Sequence, residues 1–489
     1  MIQHRKFKIV IFSSLFTIVL FVPFLFSLLK RFYFYQAIIV GIILLPILLI
    51  PLVRSPRKTL LALLLLSIPL NPSVALLQDY SFIFPLAIKF WFSDLLLFFC
   101  WCYIFLNNLI GRTNYSRIIS KSSRIVLNFF LIWLAFALFS MIFAVDRLIV
   151  LIELIKIIRI LLIFLTIPYL INSEKDLAFI AACLIGAVFL QALLILAQYS
   201  TGEQLLRLPG GARNLDITSD GLLFRPSGTL GHSSNFAKIS ALVLPVCLTL
   251  QQHDSRPFMK IFFTLALLII IISSVVVVSR IGLATSALGI TLTFLLSLRT
   301  AKGRKKILLQ LYLCVIVFFV AWITGGERII VRMTYDNFSS GSRLPMWLTA
   351  LEVIKSHPLG VGLNNYLHIA SQYDFYGIVE SYPFPVHNVF LLNFAELGVV
   401  GGGCFIGLLV SVVVLARNIA KRVHDDMDAA ILQSLGIGIA CSWLQGLVGW
   451  GHRSSFIHLP FFAILAGTIV AYNYLIAQKY NRAYWTEPF

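Results

Sequence analysis

Residues 261–298 read IFFTLALLIIIISSVVVVSRIGLATSALGITLTFLLSL, two apolar runs interrupted by a single charge, Arg280. A bilayer core about 30 Å thick is crossed by about 20 apolar residues in a helix, and each run is close to that length. The stretch therefore reads as two membrane-spanning helices joined by a tight corner that holds one arginine.

The same pattern recurs on both sides of it. The chain has 489 residues, 59% hydrophobic and 12% charged, with a mean hydropathy of +0.93. A soluble protein carries more polar surface than this. Apolar runs fall at 9–29, 33–53, 59–78, 86–110, 125–145, 148–171, 177–199, 236–252, 261–279, 281–298, 307–323, 388–416, 429–449 and 458–477. Pro69 and Pro72 interrupt the third, and the sixth carries Glu153, Lys156 and Arg159, so those two are candidates for re-entrant or interfacial segments. The expected fold is an all-α polytopic membrane protein of about 12–14 transmembrane helices. Residues 9–29 follow Arg5, Lys6 and Lys8 as a signal peptide would. The run is too long for one, and Leu28-Leu29-Lys30 offers no small-residue cleavage site, so it is expected to be the first span. The seven cysteines all lie in apolar runs and read as small core residues rather than disulfides or metal ligands.

The net charge of +19 is spread over short loops between apolar runs, which is the positive-inside pattern of membrane proteins and not a nucleic-acid footprint. With both termini cytoplasmic, the basic loops 54–58, 112–124, 299–306 and 417–422 fall inside, and the long polar loops 200–235 and 324–387 fall outside. Within the second of these, Leu344–Ser356 has an amphipathic helical pattern with Pro345 in its first turn, ended by His357-Pro358-Leu359-Gly360. The expected organisation is N-terminal helices over 1–199, a catalytic region over 200–405 that includes the partly helical loop 324–387, and C-terminal helices over 406–489.

Charge inside a bilayer costs about 2.5–3.5 kcal/mol per residue at a helix centre, so chemistry is expected at the outer mouth. Three clusters stand there. Arg225-Pro226-Ser227-Gly228-Thr229 and Gly231-His232-Ser233-Ser234-Asn235 lead into a span, an arrangement suited either to an anion or to an ordinary capped loop. Lys238 lies on the face of Asn235 and would add charge. Ser279-Arg280 forms the corner between two spans, where arginine either snorkels to headgroups or grips a diphosphate with its bidentate fork. Pro383-Phe384-Pro385-Val386-His387-Asn388 opens another span that continues to Glu396, Gly398 and Gly401. A histidine at a helix N-terminus is held neutral and suits a general base; the alternative is an interfacial histidine bonded to backbone. Glu396, nine residues on, is about half a turn out of phase and must pair elsewhere. Arg343, after Gly341-Ser342, is a further anion contact or a solvated arginine. Glu153, Lys156 and Arg159, three residues apart, read as an intrahelical ion set, with a proton path as the alternative.

Taken together these clusters resemble the O-antigen ligase/polymerase superfamily of bacterial membrane glycosyltransferases. The most specific element is His387-Asn388, nine residues, then Gly398-x-x-Gly401. Arg225-Pro-Ser-Gly-Thr with Asn235, Ser279-Arg280, and Gly341-Ser342-Arg343 through Trp347 to His357-Pro358-Leu359-Gly360-Val361-Gly362 resemble the others. The resemblance implies a GT-C-like fold in the bacterial inner membrane with its active site at the periplasmic face. It implies no metal and no cofactor, and an undecaprenyl-diphosphate-linked glycan as donor. The acceptor would be lipid A–core for a ligase or a growing glycan for a polymerase. Arg225 and Arg280 would hold the diphosphate, with Arg343 and Lys238 as further donor contacts, and His387 would assist the attacking hydroxyl. A transporter or lipid flippase predicts an internal repeat and mid-membrane charges; no repeat is visible, and only Glu153, Lys156 and Arg159 speak for it.

Overall fold

A computed structural model describes residues 55–70, 73–79, 86–109, 123–203, 205, 215–218, 221–298, 319, 323, 326, 341–449 and 457–479. The expected spans 9–29 and 33–53, most of 307–323, the loop 299–306 and most of 324–340 lie outside them. Among the described residues, nine helices are long and apolar enough to cross a membrane. The protein is an all-α polytopic membrane protein. Two short antiparallel hairpins are added to it, Ser73–Asp79 (β1) with Leu86–Trp91 (β2) and Leu215–Thr218 (β3) with Gly221–Phe224 (β4).

The helices in chain order are α1 (Pro56–Leu70), α2 (Phe92–Leu109), α3 (Arg124–Phe139), α4 (Arg147–Leu170), α5 (Lys175–Thr201), α6 (Ser233–His253), α7 (Pro257–Val276), α8 (Arg280–Ser297), α9 (Arg343–Ser356), α10 (Tyr366–Ala370), α11 (Ile378–Ser381), α12 (Val389–Ala420), α13 (Asp426–Leu444) and α14 (His458–Lys479). At the centre α6 packs against α7, α8 and α13, and α14 packs against α4. Both α6 and α14 are buried along almost their whole length. Helices α2, α3, α4, α5, α7 and α8 bury part of their surface and leave leucines, isoleucines or phenylalanines exposed on the rest. That is the surface a bilayer covers, since lipid is as apolar as a protein core.

The expected third span, 59–78, is not continuous. α1 has only 15 residues, a rise of about 22 Å against the bilayer core's 30 Å, and the chain then turns into β1. The charges of the sixth run are also arranged differently from an intrahelical set. Lys156 does pair with Glu153, but Arg159 reaches across to Asp94 and to Ser93 Oγ (2.5 Å) on α2. An interhelical pair supplies each buried charge with a counter-charge that lipid would not.

Hydrogen bonds sort the loops into two faces. On one, Arg57 pairs with Asp176 (2.7 Å), Lys479 with Glu174 (3.0 Å), and Asn473 donates to Ser123 (3.0 Å). These residues come from the starts of α1, α3 and α5 and from the end of α14, all expected on one side. On the other face Asn365 grips the Asp146 corner between α3 and α4, and Arg225 meets the α7–α8 corner. The three clusters read from the sequence lie on this second face.

Candidate functional site

The Arg225–Leu230 segment is buried although it has no regular structure. Irregular backbone survives at membrane depth only where protein satisfies its polar groups. Two glutamines inside the apolar run of α5 do this. Gln198 Oε1 accepts from the Ser227 and Gly228 N–H groups (3.1 and 2.9 Å), and its Nε2 donates to the Gly228 carbonyl (3.1 Å). Gln191 accepts from the Thr229 N–H (3.1 Å) and donates to its hydroxyl (2.9 Å), which in turn donates to the Pro69 carbonyl at the end of α1 (3.0 Å). The shortness of α1 makes room for this loop. Gly228 sits at φ +62°, and a Cβ there would fall 2.3 Å from Gln191 Oε1.

Arg225 is 5% exposed, and its guanidinium donates through Nε to the Val277 carbonyl (3.1 Å) and through Nη2 to the Val278 carbonyl (3.4 Å). At least part of its fork is therefore spent inside the protein. His232 caps α6, its Nδ1 accepting from the Ser234 N–H (3.1 Å). Asn235 donates to the Leu230 carbonyl (3.0 Å) and accepts from Lys238 Nζ (3.1 Å). Lys238 is thus on the expected face, but it is buried beneath the loop rather than open to the outer mouth.

Ser279 caps α8 by accepting from the Gly282 N–H (3.3 Å), and Arg280 is the first helical residue, half-buried. A Cβ on Gly282 would lie 2.4 Å from that of Ala237, so the first turns of α6 and α8 touch, and Lys238 and Arg280 stand on adjacent helix ends. The turn Gln445–Val448 after α13 contacts both α8 and α12 and so lies between this group and the next.

His387 stands just before α12. Asn388 caps that helix, its Oδ1 accepting from the Phe390 and Leu391 N–H groups (3.0 and 3.1 Å). Pro385 and Val386 are buried behind it, Trp347 of α9 donates to the His387 carbonyl (3.4 Å), and the Tyr382 ring lies 5.8 Å from the imidazole. Its Nδ1 is buried without a hydrogen-bond partner among the described residues. Burial lowers the His387 pKa to about 4, helped by the positive charge of Arg343 and opposed by the Pro385 carbonyl. The neutral imidazole read from the sequence is therefore present, with burial and Arg343 as its causes.

Gly398 breaks α12 at φ +72°. The segment 357–365 fits into the break. Val361 N–H donates to Ala395 O, Gly362 N–H to Glu396 O and Val399 N–H to Pro358 O, each at 3.0 Å. The Glu396 carboxylate accepts from the Asn364 N–H (2.9 Å), which is the partner elsewhere that its phase required. Gly360 (φ +90°) and Gly398 approach so closely that a Cβ on either would lie within 2.6 Å of the other's backbone neighbourhood. Asn365 ties the same segment to Asp146, accepting from its N–H (2.7 Å) and donating to its carbonyl (3.1 Å). Gly401 lies against Phe136 of α3. The roles of Gln191, Gln198 and Asn365 were not read from the sequence; two glutamines in an otherwise apolar run were the available signal.

Residues 261–406 match the model of a family described as O-antigen ligase, in agreement with the O-antigen ligase/polymerase superfamily. The match takes in Arg280, Arg343, His387, Asn388, Gly398 and Gly401, and leaves Arg225, Asn235 and Lys238 outside. No curated protein matches the chain.

Proposed function

We propose that this member of the O-antigen ligase/polymerase superfamily transfers a glycan from undecaprenyl diphosphate to lipid A–core at the periplasmic face of the inner membrane. The observation that carries the reading is His387, neutral, with a buried Nδ1 that has no hydrogen-bond partner among the described residues, beside the cation of Arg343. The acceptor hydroxyl attacks the anomeric carbon from the face opposite the diphosphate, which inverts that centre. As the C–O bond forms, the imidazole takes the hydroxyl proton. The anomeric C–O bond to phosphate breaks, and its electron pair leaves on the diphosphate. Arg280 and Arg343 are the proposed diphosphate contacts. A charge pair at 4 Å is worth on the order of 4 kcal/mol at an effective dielectric of 20. Lys238 supports the loop from beneath, through Asn235.

The test is transfer in proteoliposomes from a defined undecaprenyl-diphosphate-linked glycan. General-base assistance is worth about 10²–10⁴-fold, so His387→Ala should insert normally, keep donor binding and lose about that factor. His387→Gln should be equally poor, since it hydrogen-bonds but accepts no proton at neutral pH. A fully active Gln variant makes His387 a positioning group, and a fully active Ala variant removes it from the site. Lipid A–core offered beside a growing glycan separates ligase from polymerase. Transfer to glycan alone makes the protein a polymerase.

A further inference from the structure

We propose that Arg225 is a positioning residue, which fixes Arg280 by bracing a left-handed turn at Val278. The proposal rests on the reading of Arg280 as a diphosphate contact. Val278 has φ +54°. A β-branched residue in that region is a steric outlier, because its Cβ crowds the following carbonyl. Such a conformation persists only where the surroundings over-determine it. Here the surroundings are specific: Arg225 donates to the carbonyls of Val277 and of Val278 itself.

The turn decides where α8 begins. Val276, Val277 and Val278 are buried at the end of α7, and the left-handed residue reverses the chain within one position. Ser279 can then cap α8, and Arg280 becomes its first residue. If Val278 relaxed to an ordinary conformation, the path into Ser279 would change and the Arg280 side chain would point elsewhere. The brace is itself rigid, because Gln191 and Gln198 clamp the backbone just after Arg225. A lysine could not replace it, since one ammonium on a flexible stem lacks the planar fork that reaches two adjacent carbonyls. The apolar run of α5 is thereby linked through its two glutamines to the aim of an arginine on α8.

The test is a double-mutant cycle between Arg225 and Val278, read as affinity of the purified full-length protein for undecaprenyl diphosphate in nanodiscs, with melting temperature alongside. Glycine adopts φ > 0 without support, so Val278→Gly should bind as wild type. Arg225→Met should weaken binding at least about tenfold, the scale of a left-handed turn in an L-residue. In the Val278→Gly background the same change should cost no more than about threefold. An equal loss in both backgrounds overturns the proposal and makes Arg225 a direct ligand. A lowered melting temperature with unchanged affinity overturns it too, leaving only a packing role, and so does a Val278→Gly variant as weak as Arg225→Met. If Arg225→Met does not accumulate, Arg225→Lys takes its place in the same cycle with the same outcomes. Arg280→Lys separates the two readings. Wild-type affinity there overturns the diphosphate assignment of Arg280, and the proposal with it. Loss there with an uncoupled cycle overturns the positioning role alone.

Discussion

His387 sets the pH behaviour of the site. Its pKa in the folded protein is about 4, below the ordinary histidine value of about 6.5. The unfolded chain therefore takes up a proton first as pH falls, and this group's contribution to stability is full above about pH 6.5 and lost on the way down to about 4. The imidazole remains a competent base through the same window. If it is the base, the acid limb of kcat/KM should fall near pH 4 and not near 6.5, because that profile reports the free enzyme. Removing the neighbouring cation with Arg343→Gln should move the limb upward. A limb near 6.5 in the unaltered protein removes His387 from the base role. A limb that Arg343→Gln leaves in place means burial alone keeps the imidazole neutral.

The helix α12 is best understood as two pieces. Its 32 residues would rise about 48 Å, well beyond the bilayer core. The break at Gly398 leaves a lower piece, 399–420, whose rise of about 33 Å is enough to cross. The upper piece carries Leu392 and Ala395 into a separate small core with Met346, Ala350 and Val353 of α9. Glu396 thus belongs to the joint where the outer loop is latched, which accounts for a buried carboxylate bonded to backbone. Gly398→Ala would set a methyl 2.6 Å from the Pro358 carbonyl at a φ that only glycine accepts cheaply. It should cost about 1–3 kcal/mol and most of the transfer activity, read from melting temperature and the proteoliposome assay. A wild-type melting temperature would mean the latch is dispensable. Gln198→Leu keeps the apolar run but strands two buried N–H groups, at about 1–3 kcal/mol for each unsatisfied group. If that variant melts as wild type, water and not the glutamine satisfies the loop.

At the scale of the molecule, the loops divide between two faces, and the candidate site occupies one of them. The face holding Ser371 is expected to be periplasmic and the face holding Lys421 cytoplasmic. Both residues are exposed, so single cysteines at each can be labelled in intact cells by an impermeant thiol reagent. Ser371→Cys should label and Lys421→Cys should not until the membrane is opened; the reverse pattern would put the chemistry on the cytoplasmic side.

The sequence by itself determined that the chain is a bundle of apolar helices and that its polar clusters gather at helix ends. Hydropathy is a local sum, and a bilayer admits little but helices, so the ends of α5, α6 and α8 fall within about three residues of the expected runs, while α3 and α7 overlap theirs with larger shifts at the ends. His387-Asn388 was legible for the same reason, since a cap and a helix start are local events. Tertiary structure alone decided what partners distant residues find. Pro69 and Pro72 marked the run 59–78 as interrupted, but that a 15-residue α1 gives way to a β-hairpin was not legible, because β1 continues its apolar composition. Arg159 looked intrahelical because Asp94 lies far away in sequence. Arg225 read as an anion contact or part of an ordinary capped loop, yet its fork closes on the carbonyls of Val277 and Val278. Composition can place a charge at a membrane face. Which oxygen it meets there depends on how the helices pack.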